Sequence, residues 1–156
     1  MRAIELMITP VLCTPTTTAR QVATMMKQLD TGVILVVEDI NSRKLIGLIT
    51  DRDLILRLPA DRAPENMTIE ECMTRGNLLC CKPQDDIKQI LEVMARRHVR
   101  RVPVVGEGST VEGIIDDRVL LDYAVTNDPD LCLALARVIS SKTRMPGSLN
   151  SGISFP

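Results

Sequence analysis

Aromatic side chains are nearly absent from this sequence: one Tyr, one Phe and no Trp among 156 residues. Single strands of nucleic acid are held by stacking bases on aromatic rings, so that class of ligand is set aside. Basic residues number 19 and acidic residues 20, for a net charge of −1, which leaves no field of one sign to draw in nucleic acid or to lie on a membrane. No apolar run approaches the length that crosses a bilayer. The opening Met1-Arg2-Ala3-Ile4-Glu5 has neither the apolar stretch nor the cleavage site of a signal peptide, and a cytoplasmic protein is expected. There is a single histidine, His98, and no Ser, Cys or carboxylate pair stands beside a base at a motif spacing. An enzyme is therefore not expected. Five cysteines, Cys13, Cys72, Cys80, Cys81 and Cys132, form neither a disulfide framework nor a CxxC pattern, which fits reduced thiols in a reducing compartment. A zinc site drawn from Cys72, Cys80 or Cys81 and His98 matches no finger or ribbon spacing, so no metal is expected.

What the chain does contain, it contains twice. Gly47-Leu48-Ile49-Thr50-Asp51-Arg52-Asp53-Leu54-Ile55-Leu56 returns as Gly113-Ile114-Ile115-Asp116-Asp117-Arg118-Val119-Leu120-Leu121-Asp122. Internal repetition fixes an architecture before any single residue is interpreted. Pro15 and Pro83 stand 68 positions apart, but Gly47 and Gly113 only 66. The two missing residues fall in a loop, seven residues from Glu38 to Lys44 against five from Gly106 to Thr110, and loops absorb such changes where packed elements do not. Halves of about 60 to 70 residues are marginal alone, so they are expected to share a core.

In the first copy Val11-Leu12-Cys13-Thr14 reads as a short strand stopped by Pro15. Thr16 to Thr18 supply caps for a helix with Val22, Met25, Met26 and Leu29 on one face, and Gly32 is expected to end it. The apolar runs Val33–Val37 and Leu45–Ile49 form an antiparallel hairpin, and Thr50 and Asp51 cap a helix over 52–58. The second copy repeats each step: a strand over 78–81, a helix with Ile87, Ile90, Leu91 and Met94 inward, strands at Val102–Val105 and Val111–Ile115, and a helix over 117–125. Each half is strand, helix, strand, strand, helix, an α+β class.

That order, the Gly-h-h-Thr-x-x-Asp ending, Met73-Thr74 and Val102-Pro103-Val104-Val105 resemble the CBS domain, and the tandem resembles a Bateman module over roughly residues 4 to 126. The resemblance implies two β-α-β-β-α repeats related by a pseudo-twofold, their sheets packed face to face, with repeats at 1–64 and 65–126. A C-terminal helix is expected over 127–140 and a mobile tail over 141–156. It further implies clefts between the copies for an adenosyl ligand such as AMP, ADP, ATP, S-adenosylmethionine or NAD, regulation rather than chemistry, and no required cofactor.

Physical chemistry gives the motif a compatible meaning. A glycine on the last strand admits close approach of a ligand. Thr50 and Asp53 sit where a strand hands over to a helix N-terminus, and the two Asp53 carboxylate oxygens suit a ribose diol. The bland alternative is helix capping. By resemblance the site that uses Thr50 and Asp53 also takes Thr74, Leu79, Val99 and Arg100 from the other copy, with Gly32 and Val33 on its own hairpin strand, and Leu48 and Leu79 hold the base. Arg100 and Arg101 are adjacent on a strand, so one of them is expected to face the phosphates. Arg96 and Arg97 read as a solvated helix end. The second copy carries Ile114, Asp116 and Val119 where the first carries Leu48, Thr50 and Asp53, so that cleft is expected to be degenerate.

The motif helices are apolar on more than one side through Leu54, Ile55, Leu121 and Val125, which predicts a homodimer. The partners expected are thus an adenosyl small molecule, a second copy and an unidentified target protein, with no nucleic acid and no membrane. The rival is a ligand-free interaction scaffold.

Overall fold

The structure, a computed structural model, describes residues 1–141; the tail expected to be mobile lies outside them, apart from Ser141. The element order is α1 (Ala3–Leu6), β1 (Leu12–Cys13), α2 (Ala19–Gln28), β2 (Val33–Val37), β3 (Leu45–Thr50), α3 (Asp51–Arg57), α4 (Ile69–Cys72), α5 (Ile87–Arg97), β4 (Arg101–Val105), β5 (Val111–Asp116), α6 (Asp117–Asn127) and α7 (Pro129–Ser141). The fold is α+β, with two repeats. β1, β2 and β3 make one sheet, with β1 parallel to β2, and β4 and β5 make the other.

The hairpins superimpose in register. Val36 faces Gly47 and Val37 faces Leu45 across one bulge; Val104 faces Gly113 and Val105 faces Val111 across another. The length difference is thereby confined to the hairpin loops. A residue in β2 therefore has its counterpart 68 positions on, and one in β3 or α3 66 positions on. The sheets meet through Val33, Leu35, Val37, Val111 and Ile114, and each is covered on its other face by helices of its own copy together with the short helix that opens the other. In α5 all four of Ile87, Ile90, Leu91 and Met94 are buried. In α2 Val22 and Met26 of the expected face are buried and Met25 is half-buried; the helix stops at Gln28, and Leu29 beyond it is 57% exposed. The left-handed turn there belongs to Asp30 (φ 47°), not to Gly32, and its counterpart in the second copy is His98 (φ 56°). That position explains the lone histidine as the C-cap of α5.

Each copy begins on the other. Ala3 of α1 is fully buried in the core of the second repeat, and Ile69, Cys72 and Met73 in that of the first. Behind these helices Ile8 exchanges two backbone hydrogen bonds with Ile114 (both 3.0 Å), and Thr74 exchanges two with Leu48 (2.8 and 3.1 Å). This crossing explains the repeat glycines. A Cβ on Gly47 would lie 2.8 Å from Met73 Sδ and 2.9 Å from the Thr74 carbonyl oxygen, and one on Gly113 would lie 2.6 Å from Met7 Sδ. The expectation that the glycine admits a ligand is corrected: Gly47 admits Met73 and the Thr74 carbonyl of the crossing segment, and Gly113 admits the Met7 side chain.

The two strands that open the sheets differ. The Leu35 N–H donates to the Val11 carbonyl at 2.9 Å, but the counterpart of Leu35 is Pro103, which has no N–H to give. Cys81 still bonds Pro103 and Val105, while Leu79 has no backbone hydrogen bond among the described residues, and the expected strand over 78–81 shrinks to a bridge at Cys81. α7 packs against α5 and α6 through Leu131, Leu135 and Val138. Among the described residues no helix is long and apolar enough to cross a membrane.

The cysteines are unpaired. Burial pushes the Cys13 thiol up to about 11 and the Cys81 thiol up to about 12, so neither supplies the thiolate that reacts at neutral pH. Alkylation of native protein at pH 8, followed by mass spectrometry, should leave both unlabelled until denaturant is added. Native-state labelling at the rate of an unfolded control would contradict this packing.

Candidate functional site

The Thr50 and Asp53 side chains first satisfy each other. The Thr50 hydroxyl accepts from the Asp53 N–H at 3.1 Å and donates to Asp53 Oδ2 at 2.8 Å, and the Thr50 N–H donates to the same oxygen at 3.0 Å. This reciprocal box starts α3 and satisfies donors that every helix N-terminus leaves open. The other oxygen, Oδ1, lies 3.2 Å from Arg57 Nη2, and Arg57 Nη1 donates to the Cys72 carbonyl at 2.9 Å. Arg57, which sequence reasoning passed over, thus ties the carboxylate to the segment that crosses from the second copy.

Around this box opens a cleft of about 390 Å³. Leu48, Thr50 and Asp53 come from the first copy, Thr74, Asn77, Leu78 and Leu79 from the crossing segment, and Arg97, Val99 and Arg101 from the end of α5 and the start of β4. The structure therefore brings together Leu48, Thr50, Asp53, Thr74, Leu79, Val99 and Arg101 of the residues named from sequence. Behind Leu79, a hollow of about 220 Å³ beside Cys80 and Val102 adjoins the place where Pro103 releases the strand.

Four expectations are corrected. Arg100 does not line the cleft, because its Nε is drawn to the Asp117 carboxylate, 1% exposed. Val33 lines the opposite cleft. The pseudo-twofold requires this: Val33 and Arg101 are counterparts, and since the first cleft takes β4 from the second copy, β2 must serve the other. Gly32 is not a lining residue of the cleft; a Cβ on it would sit 3.0 Å from Asp51 Oδ2 and 3.4 Å from Arg101 Nη2. Arg97, assigned to a solvated helix end, proves to be a cleft wall, as does Asn77, held in a left-handed conformation (φ 45°). Neither Asn77 nor Leu78 carried a motif signal. For Arg97, its place one turn before a cleft-lining strand was the available clue.

The opposite cleft is smaller, about 170 Å³, and is lined by Ile8, Val11, Thr31, Val33 and Ile114 together with Asp30, Asp116 and Arg118. Val119, at the place of Asp53, offers no acceptor. Asp116, at the place of Thr50, starts α6 by accepting from the Arg118 N–H at 2.9 Å. Burial works against its charge, but hydrogen bonds from Arg101 and from the Arg118 backbone, with the two guanidinium charges, hold its carboxyl below the usual range. One cleft thus carries two arginines and one carboxylate, and the other two carboxylates and one arginine.

A fold of two crossed β-α-β-β-α repeats, with an asymmetric pair of clefts between them, defines a CBS pair. The CBS domain family matches residues 3–60 and 64–126, and the chain belongs to that family. It is 31% identical over 103 residues to YlbB of Bacillus subtilis, an alignment that covers 66% of this chain and 68% of that one. Among solved structures it resembles the CBS domain protein PAE2072 from Pyrobaculum aerophilum complexed with AMP, at a TM-score of 0.70 and 25% identity over 87% of this chain and 98% of that one. It also shares the fold of the CBS domain pair of protein MJ0100, solved with 5′-methylthioadenosine and S-adenosyl-L-methionine, at a TM-score of 0.68 and 22% identity over 78% of this chain and 98% of that one.

Proposed function

We propose that the protein is a regulatory module that binds one adenine nucleotide, of the AMP, ADP or ATP type, in the cleft of Thr50 and Asp53, and passes its occupancy to a separate target protein in the cytoplasm without chemistry of its own. The observation that carries this reading is the composition of that cleft. A capped carboxylate from one copy faces Arg97 and Arg101 from the other across about 390 Å³, with Leu48, Leu79 and Val99 as apolar walls.

The parts divide the ligand between them. Asp53 accepts from the ribose hydroxyls through the lone pairs that the box and Arg57 leave free on its two oxygens. The arginines take the phosphates through charge-assisted hydrogen bonds. The base lies between Leu48 and Leu79, where the backbone of Leu79 has hydrogen-bonding capacity that Pro103 leaves unused. The PAE2072 complex with AMP supports the choice of ligand class. S-adenosylmethionine, which carries a cationic sulfonium, fits the doubly cationic end less well. Because ligand contacts come from both copies, binding favours one relative setting of the two, and a target that distinguishes the settings reads the ligand.

A thermal-shift panel tests the reading. A ligand at a hundred times its Kd adds about 2.7 kcal/mol to the folded state, a rise of about 5–10 °C in Tm for a chain of this size. AMP, ADP or ATP should give it, and adenosine and S-adenosylmethionine less. No shift with any of them would overturn the reading. Replacing Arg101 by Ala should weaken AMP binding about tenfold and remove part of its salt dependence, leaving adenosine unaffected. The second reading, a ligand-free interaction scaffold, is favoured by one observation: in this structure both oxygens of Asp53 already have protein partners.

A further inference from the structure

The substitution that spoils the opposite cleft has a partner in the first one. Asp116 is 5% exposed. Its Oδ1 is occupied by the Arg118 backbone N–H, with the Arg118 Nε at 3.4 Å, and its Oδ2 accepts from Arg101 Nε at 2.8 Å. Arg101 is thereby held across the boundary between the clefts, by a residue of the one and facing into the other. Only its Nε is used: the two Nη groups make no hydrogen bond to the described residues, and Nη2 lies over the bare α-carbon of Gly32.

We propose that Asp116 is a positioning residue of the first cleft, anchoring Arg101 by Nε so that both Nη groups are presented to an anionic ligand. A free arginine side chain loses rotamer freedom when it closes on a phosphate, and one already fixed has lost it beforehand. A threonine at 116, as the first copy has at 50, would cap the helix but leave Arg101 without its buried anion. On this account the second copy's departure from the Thr-x-x-Asp pattern is what arms the first cleft.

The inference rests on the reading that a nucleotide's phosphates lie at Arg101, and its test separates the two. Asp116→Thr and Asp116→Asn both keep an N-cap, and Asn also keeps a neutral acceptor for Arg101. Calorimetric titration with AMP and with adenosine should show AMP affinity falling about tenfold in Asp116→Thr and by less in Asp116→Asn, with adenosine affinity unchanged in both. Unchanged or tighter AMP binding would overturn the proposal, the latter by showing that Asp116 acts as a counter-charge. A fall of AMP and adenosine by one common factor would also overturn it, as a general structural effect. If the wild type binds neither compound, the nucleotide reading fails, and inorganic pyrophosphate then probes the cation alone. A smaller thermal shift with pyrophosphate in Asp116→Thr than in the wild type supports the anchor. An equal response, including none in either protein, overturns it.

Discussion

Asp53→Ala should weaken nucleotide binding by about ten- to a hundredfold, while Val119→Ala, at the counterpart position, should leave it unchanged. The size follows from losing hydrogen bonds made by a charged group, worth roughly 1.5–3 kcal/mol each. The same substitution also removes the box around Thr50 and the ion pair with Arg57, and the loss of such a cap costs about 1 kcal/mol of stability. A weaker ligand could then reflect a looser α3 rather than a lost contact. Asp53→Asn separates the two, because asparagine still accepts from the Thr50 N–H but carries no charge and one acceptor oxygen fewer. Its Tm should stay close to the wild type's while its affinity drops with that of Ala. Calorimetry should fit one ligand per chain. Equal losses in Asp53→Ala and Val119→Ala, or a stoichiometry of two, would show that the asymmetry of the clefts is misread.

The repeat made most of the fold legible, because two copies of one apolar pattern constrain each other: Ile87, Ile90, Leu91 and Met94 are all buried as their spacing requires. What escaped was of two kinds. α1 and α4 are four residues each, too short for any periodicity, and their place on the opposite copy depends on backbone pairings such as Ile8 with Ile114 that leave no mark on composition. The role of Gly47 was misassigned for the same reason, since only the crossing segment shows what crowds it. The site shows the limit differently. Thr50, Asp53 and Arg101 were readable as residue types, but which cleft a strand start serves is decided by the pseudo-twofold, and Val33 was placed on the wrong side of it. Pro103 was readable in principle: a proline where the other copy has Leu35 announces one missing ladder bond, and so a loosened strand at Leu79.

A homodimer through α3 and α6 is the expected state in solution, with or without ligand. Ile55 is 78% exposed, Leu56 67% and Val125 71%, and each contributes roughly 1.5–3 kcal/mol when buried. Ile55 and Leu56 belong to α3 and Val125 to α6, helices that the pseudo-twofold makes counterparts, so both copies expose large apolar side chains that a second chain would cover. The structure changes which substitution tests this. Leu54 packs into the first repeat's core and Leu121 is only 37% exposed, so a charge at Leu121 would disturb the monomer as well as the interface. Ile55→Glu and Val125→Glu have little to disturb within their own chain, yet each would set two like charges near the twofold axis without partners. Light scattering behind a sizing column should give the wild type a mass near 35 kDa, about twice the 17.3 kDa of one chain, and both variants the mass of one chain at unchanged Tm. A wild-type mass of one chain at micromolar concentration would sink the dimer. A dimer that survives both substitutions would move the interface elsewhere, and the exposed Leu133 of α7 would be the next residue to charge.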